Sequence, residues 1–395
     1  MRFLFLFSDT GGGHRASANA VCAEMQRLYG DAAEVALADI FVEMGRWPFP
    51  RFPQWYPKMV KLNALPWRIS YQLTDQIPLI KPLSYLAWPY TRRPLKRFLH
   101  DCRPDVVVSF HGIPNYALDL ALRRMHSSVP KAIVVLDLVT VHTAWFAPGF
   151  DAYIVPTEVA KARALRAGLP AERVHVVGMP ARRAFVEASD LPKAVAREQL
   201  GLPQERPIVL LVGGGEGMGP LAPVVAALVT QRPEALLVAV AGRNHVLQQR
   251  LAQLAPPEQL RVEGFVSNME VWMRAVDLLV TKAGPNTLVE AFIAGLPTVL
   301  YTALPGQEAG NVTYVVEQEA GIWAPRPTAA AAAVQALLGD PARLQRMAGQ
   351  ARSLARPHAA THIAQHLWAL GEARPEASAP YLPQFGGQRT HPPLA

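Results

Sequence analysis

Short apolar runs alternating with helix-period stretches set the rhythm of the chain. Arg2–Phe7 is a continuous apolar run that ends in a Gly-rich turn, and a helical pattern follows from about His14 to Tyr29. Glu34–Ile40 reads as a second strand. Asp105–Phe110, Ala132–Leu136, Ala152–Val155 and Val174–Val177 are further Val-rich strand candidates, each followed by turn residues. After a polar stretch at 187–206 the rhythm restarts. Pro207–Val212 runs into Gly213-Gly214-Gly215, a helix follows, and Ala235–Val240, Val262, Asp277–Val280 and Thr298–Tyr301 continue the series. Strands that alternate with helices form a parallel sheet covered on both faces. The pattern predicts an α/β chain with two Rossmann-like domains facing a central cleft. The first covers 1–180 and the second 181–370, with the last helix packing back on the first domain. From Gly371 the composition shifts to Pro, Ala, Ser and Gly, which predicts an unstructured tail over 371–395.

Composition narrows the classes. A length of 395 residues suits two domains, and a chain that is 50% apolar and 18% charged is not globally disordered. Two cysteines, Cys22 and Cys102, cannot build a disulfide framework or a Cys-based zinc site, and they fit a reducing compartment. No run reaches the roughly 18–20 apolar residues of a membrane-spanning helix. The apolar opening Met1–Phe7 is too short for a secretory leader and is expected to belong to the fold.

The formal charge of +8 changes the picture through its location. Residues 41–100 hold ten basic and two acidic residues, so this stretch alone carries the whole excess. It also holds Trp47, Trp55, Trp67 and Trp88, half of the eight tryptophans. Indole rings prefer the lipid–water boundary, and Lys or Arg beside them attract anionic headgroups at about 1 kcal/mol each. The segment therefore reads as a peripheral membrane-docking insert, with Arg92 and Arg93 among its bases. A folded aromatic core with a solvated basic face is the plainer reading. Nucleic acid is disfavoured because no recognised module accompanies the basic region.

Candidate chemistry gathers at the strand ends. Ser8-Asp9-Thr10-Gly11-Gly12-Gly13-His14-Arg15-Ala16 follows the first strand and opens the first helix. Three glycines let backbone approach a ligand, and a helix N-terminus offers unpaired N–H groups. Gly11-x-Gly13-x-x-Ala16 also meets a loose dinucleotide fingerprint with Asp39 as ribose acid, which keeps an NAD(P)-dependent oxidoreductase as a rival. Hydride chemistry gives no reason for a His directly after the glycines. A His at a helix N-terminus has its charged form disfavoured and can take up a proton, so His14 is the candidate general base, against a structural or phosphate-contacting role. The second loop, Gly213–Pro220, lacks the Lys-Ser/Thr of a P-loop. The stretch Thr281-Lys282-Ala283-Gly284-Pro285-Asn286-Thr287-Leu288-Val289-Glu290 reads as strand, turn and helix start. Glu290 is placed to accept two ribose hydroxyls, or else to close a capping box with Thr287. Gln307, Glu308 and Asn311 form a polar cluster that reads as a sugar-hydroxyl site or as a solvated loop.

At these residues the chain resembles the monogalactosyldiacylglycerol synthases and, more distantly, the N-acetylglucosaminyltransferase that makes the lipid precursor of peptidoglycan. The resemblance reaches about residue 370. It rests on SDTGGGHRASA, DLVTVHTAWFAPG, GGGEGMGP, GFVSNMEVWM, TKAGPNTLVEA and PGQEAGN, in the family's order. It implies a glycosyltransferase-B fold that moves a hexose from a UDP-sugar to the free hydroxyl of diacylglycerol, with inversion. It further implies no metal or other cofactor, a peripheral place on the cytosolic face of a membrane, an anionic surface as partner and no nucleic acid. By position, His14 corresponds to the base-loop histidine and 41–100 to the acceptor-binding insert, with Asp137 as a second base or an orienter of His14, and His142 behind it. Gly217, Met218 and Gly219 correspond to the diphosphate loop and Phe265 and Val266 to the uracil-holding strand, and Gly13, Gly215, Arg243 and Met269 are further donor-binding candidates. Gly284, Pro285, Asn286 and Thr287 correspond to the phosphate-binding helix start, Glu290 to the ribose ligand, and Gln307, Glu308 and Asn311 to the hexose side. Galactose is implied as donor sugar, with glucose as the alternative.

Overall fold

A computed structural model describes residues 1–9, 12–43, 49–51, 71, 73–75, 77–215, 217, 219–231 and 234–373. It contains two six-stranded parallel sheets. The first has the order β2-β1-β3-β4-β5-β6, from β1 (Arg2–Phe7), β2 (Glu34–Asp39), β3 (Val106–Ser109), β4 (Lys131–Val134), β5 (Ala152–Val155) and β6 (Val174–Val176). The second has the order β12-β11-β10-β7-β8-β9, from β7 (Ile208–Val212), β8 (Leu236–Val240), β9 (Leu260–Glu263), β10 (Leu278–Lys282), β11 (Thr298–Thr302) and β12 (Gly321–Trp323).

Five helices matter for the site. They are α1 (Gly13–Tyr29), α2 (Ile77–Cys102), α3 (Pro285–Ala294), α4 (Ala309–Glu317) and α5 (Ala359–Glu372).

The strands form where Val, Leu and Ile occupy consecutive positions, because both faces of a parallel sheet are covered and neither can be polar. In β7, Ile208, Leu210 and Val212 pack into one buried cluster, while Val209 and Leu211 pack into another on the opposite face. This is the two-residue period of a strand read out as two cores. The first cluster runs on from Phe3, Phe5 and Val108 of the first sheet into Leu288, Phe292 and Trp272 of the second lobe. The strand ends that face the cleft therefore rest on continuous apolar packing.

The chain crosses between lobes twice, at Val177–Pro180 and again before α5. Gly178 has φ +118°, and a Cβ there would lie 2.7 Å from Arg356 Cβ and 2.9 Å from Ala359 Cβ. Only glycine lets the two crossings touch. Helix α5 returns to the first lobe. Trp368 stacks on Tyr29 with ring centroids 3.9 Å apart, and Thr361 Oγ1 donates to Glu24 Oε2 at 2.7 Å.

Three expectations change. The short strand β12 is an addition, since three residues give too little pattern to read. Helix α5 extends to Glu372, so the expected tail does not begin at Gly371, and 374–395 lie outside the described residues. Trp47, Trp55 and Trp67 also lie outside them. Trp88 is half-buried and packs against the first lobe's core, because α2 turns that side inward. Among the described side chains of α2, Leu86, Tyr90 and Tyr85 are large, apolar and exposed, and Arg92 and Arg93 are exposed beside them. Among the described residues, no helix is long and apolar enough to cross a membrane.

Candidate active site

The site lies where the C-terminal ends of both sheets face each other, the usual ligand position in open α/β sheets. On the first lobe, Gly12 takes a left-handed conformation (φ +78°) as N-cap of α1 and turns the chain sharply out of β1. This puts His14 in the first turn of α1. Its Nδ1 lies 2.8 Å from the carbonyl oxygen of Phe110, which only accepts, so Nδ1 carries the proton and Nε2 keeps its lone pair. Burial pushes the imidazole down from 6.5 to about 4, with the Phe110 carbonyl pulling weakly the other way. His14 is therefore neutral near pH 7.

Asp137, 6% exposed, accepts from Trp145 Nε1 at 2.8 Å and from the His142 backbone N–H at 3.2 Å. Its other oxygen accepts from Gln307 Nε2 of the second lobe at 3.4 Å. Burial raises its pKa to about 6, and the three donors lower it by less. The Phe110 carbonyl, not Asp137, orients His14. Asp137 fixes the Trp145 indole, which lies 6.1 Å from the His14 ring. His142 accepts from the Ala144 N–H through Nδ1 at 3.1 Å, which leaves Nε2 to donate to Thr74 Oγ1 at 3.2 Å. Its lone pair is spent on a cap, so it is no base in this arrangement. Asp39 accepts from the N–H groups of Asp9 and Phe41, both at 2.9 Å, and ties the ends of β1 and β2 together. The ribose role in the dinucleotide reading is thus replaced by a backbone role.

On the second lobe, Gly284 caps α3 and Pro285 follows it, so the first turn of α3 points its N–H groups at the cleft. Asn286 Nδ2 donates to Gly13 O and to Ser17 Oγ, both at 3.3 Å. Because Gly284 is the N-cap, Thr287 cannot form a capping box with Glu290. Glu290 is half-buried, and burial raises its pKa from 4.5 to about 7, with Arg182 opposing and Glu270 adding to the rise.

The glycine loop after β7 bends back through left-handed residues Gly214, Gly217 and Gly219. A Cβ on Gly217 would sit 2.4 Å from Ala241 O. The Arg243 N–H donates to Gly215 O at 2.9 Å, and the Arg243 guanidinium lies 4.2 Å over the ring of Phe265, which is 56% exposed. Val266 and Met269 are half-buried against the core, which makes them supports for this strand end. Met218 lies outside the described residues.

The cluster after β11 is no solvated loop. Glu308 is 2% exposed, with one oxygen accepting from Lys282 Nζ and the other from the Leu304 N–H at 2.9 Å. Asn311 donates to Ala283 O at 2.9 Å and holds the turn ahead of α3. The Gly310 N–H donates to Thr140 Oγ1 at 3.0 Å, a further clasp across the cleft.

Lys282 was not singled out by the sequence reading. It ends β10, and its side chain passes 3.6 Å from the position of a Cβ on Gly214 and 2.5 Å from one on Gly284. One side chain thus reaches both glycine turns, with its ammonium paired to Glu308. A lone Lys closing the apolar run Leu278–Thr281 at a cleft-facing strand end was its signal. Among the described residues, no group of three or more His, Cys, Asp or Glu could hold a metal ion.

Comparisons with known proteins agree with this arrangement. Residues 14–181 match the family described as monogalactosyldiacylglycerol (MGDG) synthase, and residues 208–363 match the glycosyltransferase family 28 C-terminal domain. Monogalactosyldiacylglycerol synthase 1, chloroplastic, of Arabidopsis thaliana is 36% identical over 395 residues, covering 96% of this chain and 73% of the relative. Among solved structures, a UDP co-structure of S. aureus MnaA matches with TM-score 0.63 at 13% identity, covering 96% of this chain and 100% of that one. MurG of Acinetobacter baumannii matches with TM-score 0.60 at 17% identity, covering 93% and 99%. At such identities these structures establish the fold alone, and it is the two-lobed glycosyltransferase-B fold.

Proposed function

This chain belongs to the monogalactosyldiacylglycerol synthase family of glycosyltransferases, and from that premise we propose that it transfers galactose from UDP-galactose to the free hydroxyl of diacylglycerol, inverting the anomeric carbon. The observation that carries the reading is His14: a neutral imidazole with a free Nε2 lone pair, on the helix whose first turn touches Asn286 of the donor-side helix.

A lipid hydroxyl is a poor nucleophile until its proton leaves, and a positioned base supplies that step. His14 Nε2 takes the proton as the oxygen bonds to the anomeric carbon. The carbon–oxygen bond to the diphosphate breaks on the opposite face, and its electron pair leaves on phosphate oxygen. The leaving charge falls among the first N–H groups of α3, the glycine turns after β7 and the Lys282 ammonium. These N–H groups and the single ammonium support a reaction with no metal and no other cofactor. Phe265 and Arg243 offer a stacking face for the uracil, Glu290 accepts the ribose hydroxyls, and Gln307 faces the hexose with buried Glu308 behind it, holding Lys282 and the Leu304 N–H. The lipid enters from the membrane side along α2, with the protein held peripherally on an anionic, cytosolic-facing surface.

The deciding assay incubates purified protein with diacylglycerol vesicles and UDP-galactose or UDP-glucose in parallel. Galactolipid of inverted configuration is expected. Preferred turnover of UDP-glucose would replace the donor assignment, and no lipid product from either would overturn the reading.

A further inference from the structure

His111 faces His14 and has no place in the mechanism above. It is 6% exposed, and its ring centroid lies 4.6 Å from that of His14, with the planes 52° apart. Trp145 lies 6.4 Å away on one side, and Phe41 meets the ring edge-on at 5.2 Å. The Ile113 backbone N–H donates to His111 Nδ1 at 3.3 Å. A nitrogen that accepts from an amide carries no proton in the neutral ring, so Nε2 carries it. The two imidazoles are therefore opposite tautomers. His14 presents a lone pair at Nε2, and His111 presents an N–H at Nε2.

A hydroxyl group is the ligand that fits such a pair, since it donates one hydrogen bond and accepts others. We propose that His111 is an acceptor-binding residue, whose Nε2–H donates to the diacylglycerol hydroxyl while that hydroxyl donates to His14 Nε2. This proposal rests on the reading of His14 as base. With its proton aimed at His14 and one lone pair held by His111, the oxygen keeps its other lone pair for the anomeric carbon. As the proton moves to His14 Nε2 and the new carbon–oxygen bond forms, the His111 N–H meets the negative charge that develops on the oxygen. The proton of His111 itself does not move.

Burial lowers the pKa of His111 well below 6.5, and the neighbouring His14 lowers it further, so the donor tautomer is neutral under ordinary conditions. The packing keeps the ring in place. A Cβ on Gly112 would lie 3.3 Å from three atoms of the Trp145 ring, so a side chain there would press on the indole, and glycine carries the chain close over it to His111. The Ser109 hydroxyl donates to the His111 carbonyl at 2.9 Å and fixes the backbone as well.

The test compares His111→Phe, which keeps a ring but has no donor, with His111→Gln, whose amide can accept from Ile113 and still donate. Steady-state rates are measured with diacylglycerol vesicles and UDP-galactose, and UDP binding is measured by calorimetry. His111→Phe is expected to lose at least about 30-fold in kcat/KM for diacylglycerol while UDP affinity stays within about twofold. His111→Gln is expected to recover a large part of that loss. Wild-type kinetics in His111→Phe would overturn the proposal, as would equal losses in Phe and Gln variants that bind UDP normally. His14→Ala is run alongside: if it retains near-normal turnover, the reading of His14 fails first and the two failures are told apart.

Discussion

Asn286 donates its side-chain amide to the Gly13 carbonyl at 3.3 Å, so the helix that opens the second lobe's anion seat touches the turn that presents the candidate base. A Cβ on Gly13 would lie 3.1 Å from Asn286 Oδ1, tighter than ordinary contact. Gly13→Ala is expected to lower kcat/KM by about tenfold, near 1.4 kcal/mol. The double variant Gly13→Ala with Asn286→Ala should recover much of that loss, because the clash is removed. Strict additivity in this double-mutant cycle would show that the two positions do not meet.

His14→Ala is expected to lower kcat by at least about a hundredfold, the scale of general base catalysis, with UDP affinity nearly unchanged. The base must be unprotonated and its pKa is near 4. The kcat profile should therefore stay flat on the acid side until the pH approaches 4, rather than bending near 6.5. For stability the sign is the same. The folded value lies below the unfolded 6.5, so the unfolded chain binds more protons between these values. The contribution of the buried neutral ring is fully present above pH 6.5 and is lost as pH falls through about 4. His14→Gln should flatten that part of the stability curve.

Glu290 behaves oppositely. Its folded pKa near 7 lies above the unfolded 4.5, so the folded state binds more protons between them. Stability from this group falls as pH rises through 7, and Glu290→Gln should raise the melting temperature at pH 8 by a few degrees, on the order of 1 kcal/mol. The same variant should weaken UDP binding about tenfold at pH 8 and remove the loss of affinity expected of wild type below pH 7. A Gln variant that bound UDP as well as wild type would move the ribose elsewhere.

In the proposed reaction the Lys282 ammonium, paired with Glu308, meets the diphosphate. Lys282→Met should weaken UDP binding by about tenfold or more and lower kcat further. Chelators should leave the wild-type rate unchanged. A rate abolished by EDTA and restored by a divalent cation would show that Lys282 and the amide groups do not carry the leaving charge alone.

Liposome binding tests the exposed side of α2. Leu86 is 76% exposed and Tyr90 58%, with Arg92 and Arg93 exposed on the same helix. Binding should rise with anionic lipid and fall as salt shortens the screening length. Leu86→Glu with Tyr90→Glu should reduce it by about tenfold, whereas Trp88→Phe should act on stability instead, since Trp88 packs on the core. Binding indifferent to charge, salt and both substitutions would assign this face another role.

Much of this was legible in the residues. Apolar runs such as Arg2–Phe7 and Ile208–Val212 read as buried parallel strands from their own residues, and Gly12-Gly13-His14 announces a turn into a helix. The pairing of Glu308 with Lys282 was not legible, because Lys282 ends β10 while Glu308 caps α4, beyond the next strand. Nor was the fate of Asp39, whose spacing suited a ribose while its position against the Asp9 and Phe41 amides gave it backbone to hold. Trp88 misled because an indole suits a core as well as a membrane boundary.

The sequence alone determined most of the strands, where the glycine turns lie and which family the motifs belong to, since each depends on neighbours within a few residues. Tertiary structure decided which nitrogen of each imidazole bears a proton, which carboxyl stays protonated longest and which aromatic ring faces solvent. His14 takes its tautomer from a carbonyl at Phe110, and Asp137 meets its Gln307 partner from another lobe. Hydrogen bonds and burial of this kind are set by groups far apart along the chain, and folding alone brings them together.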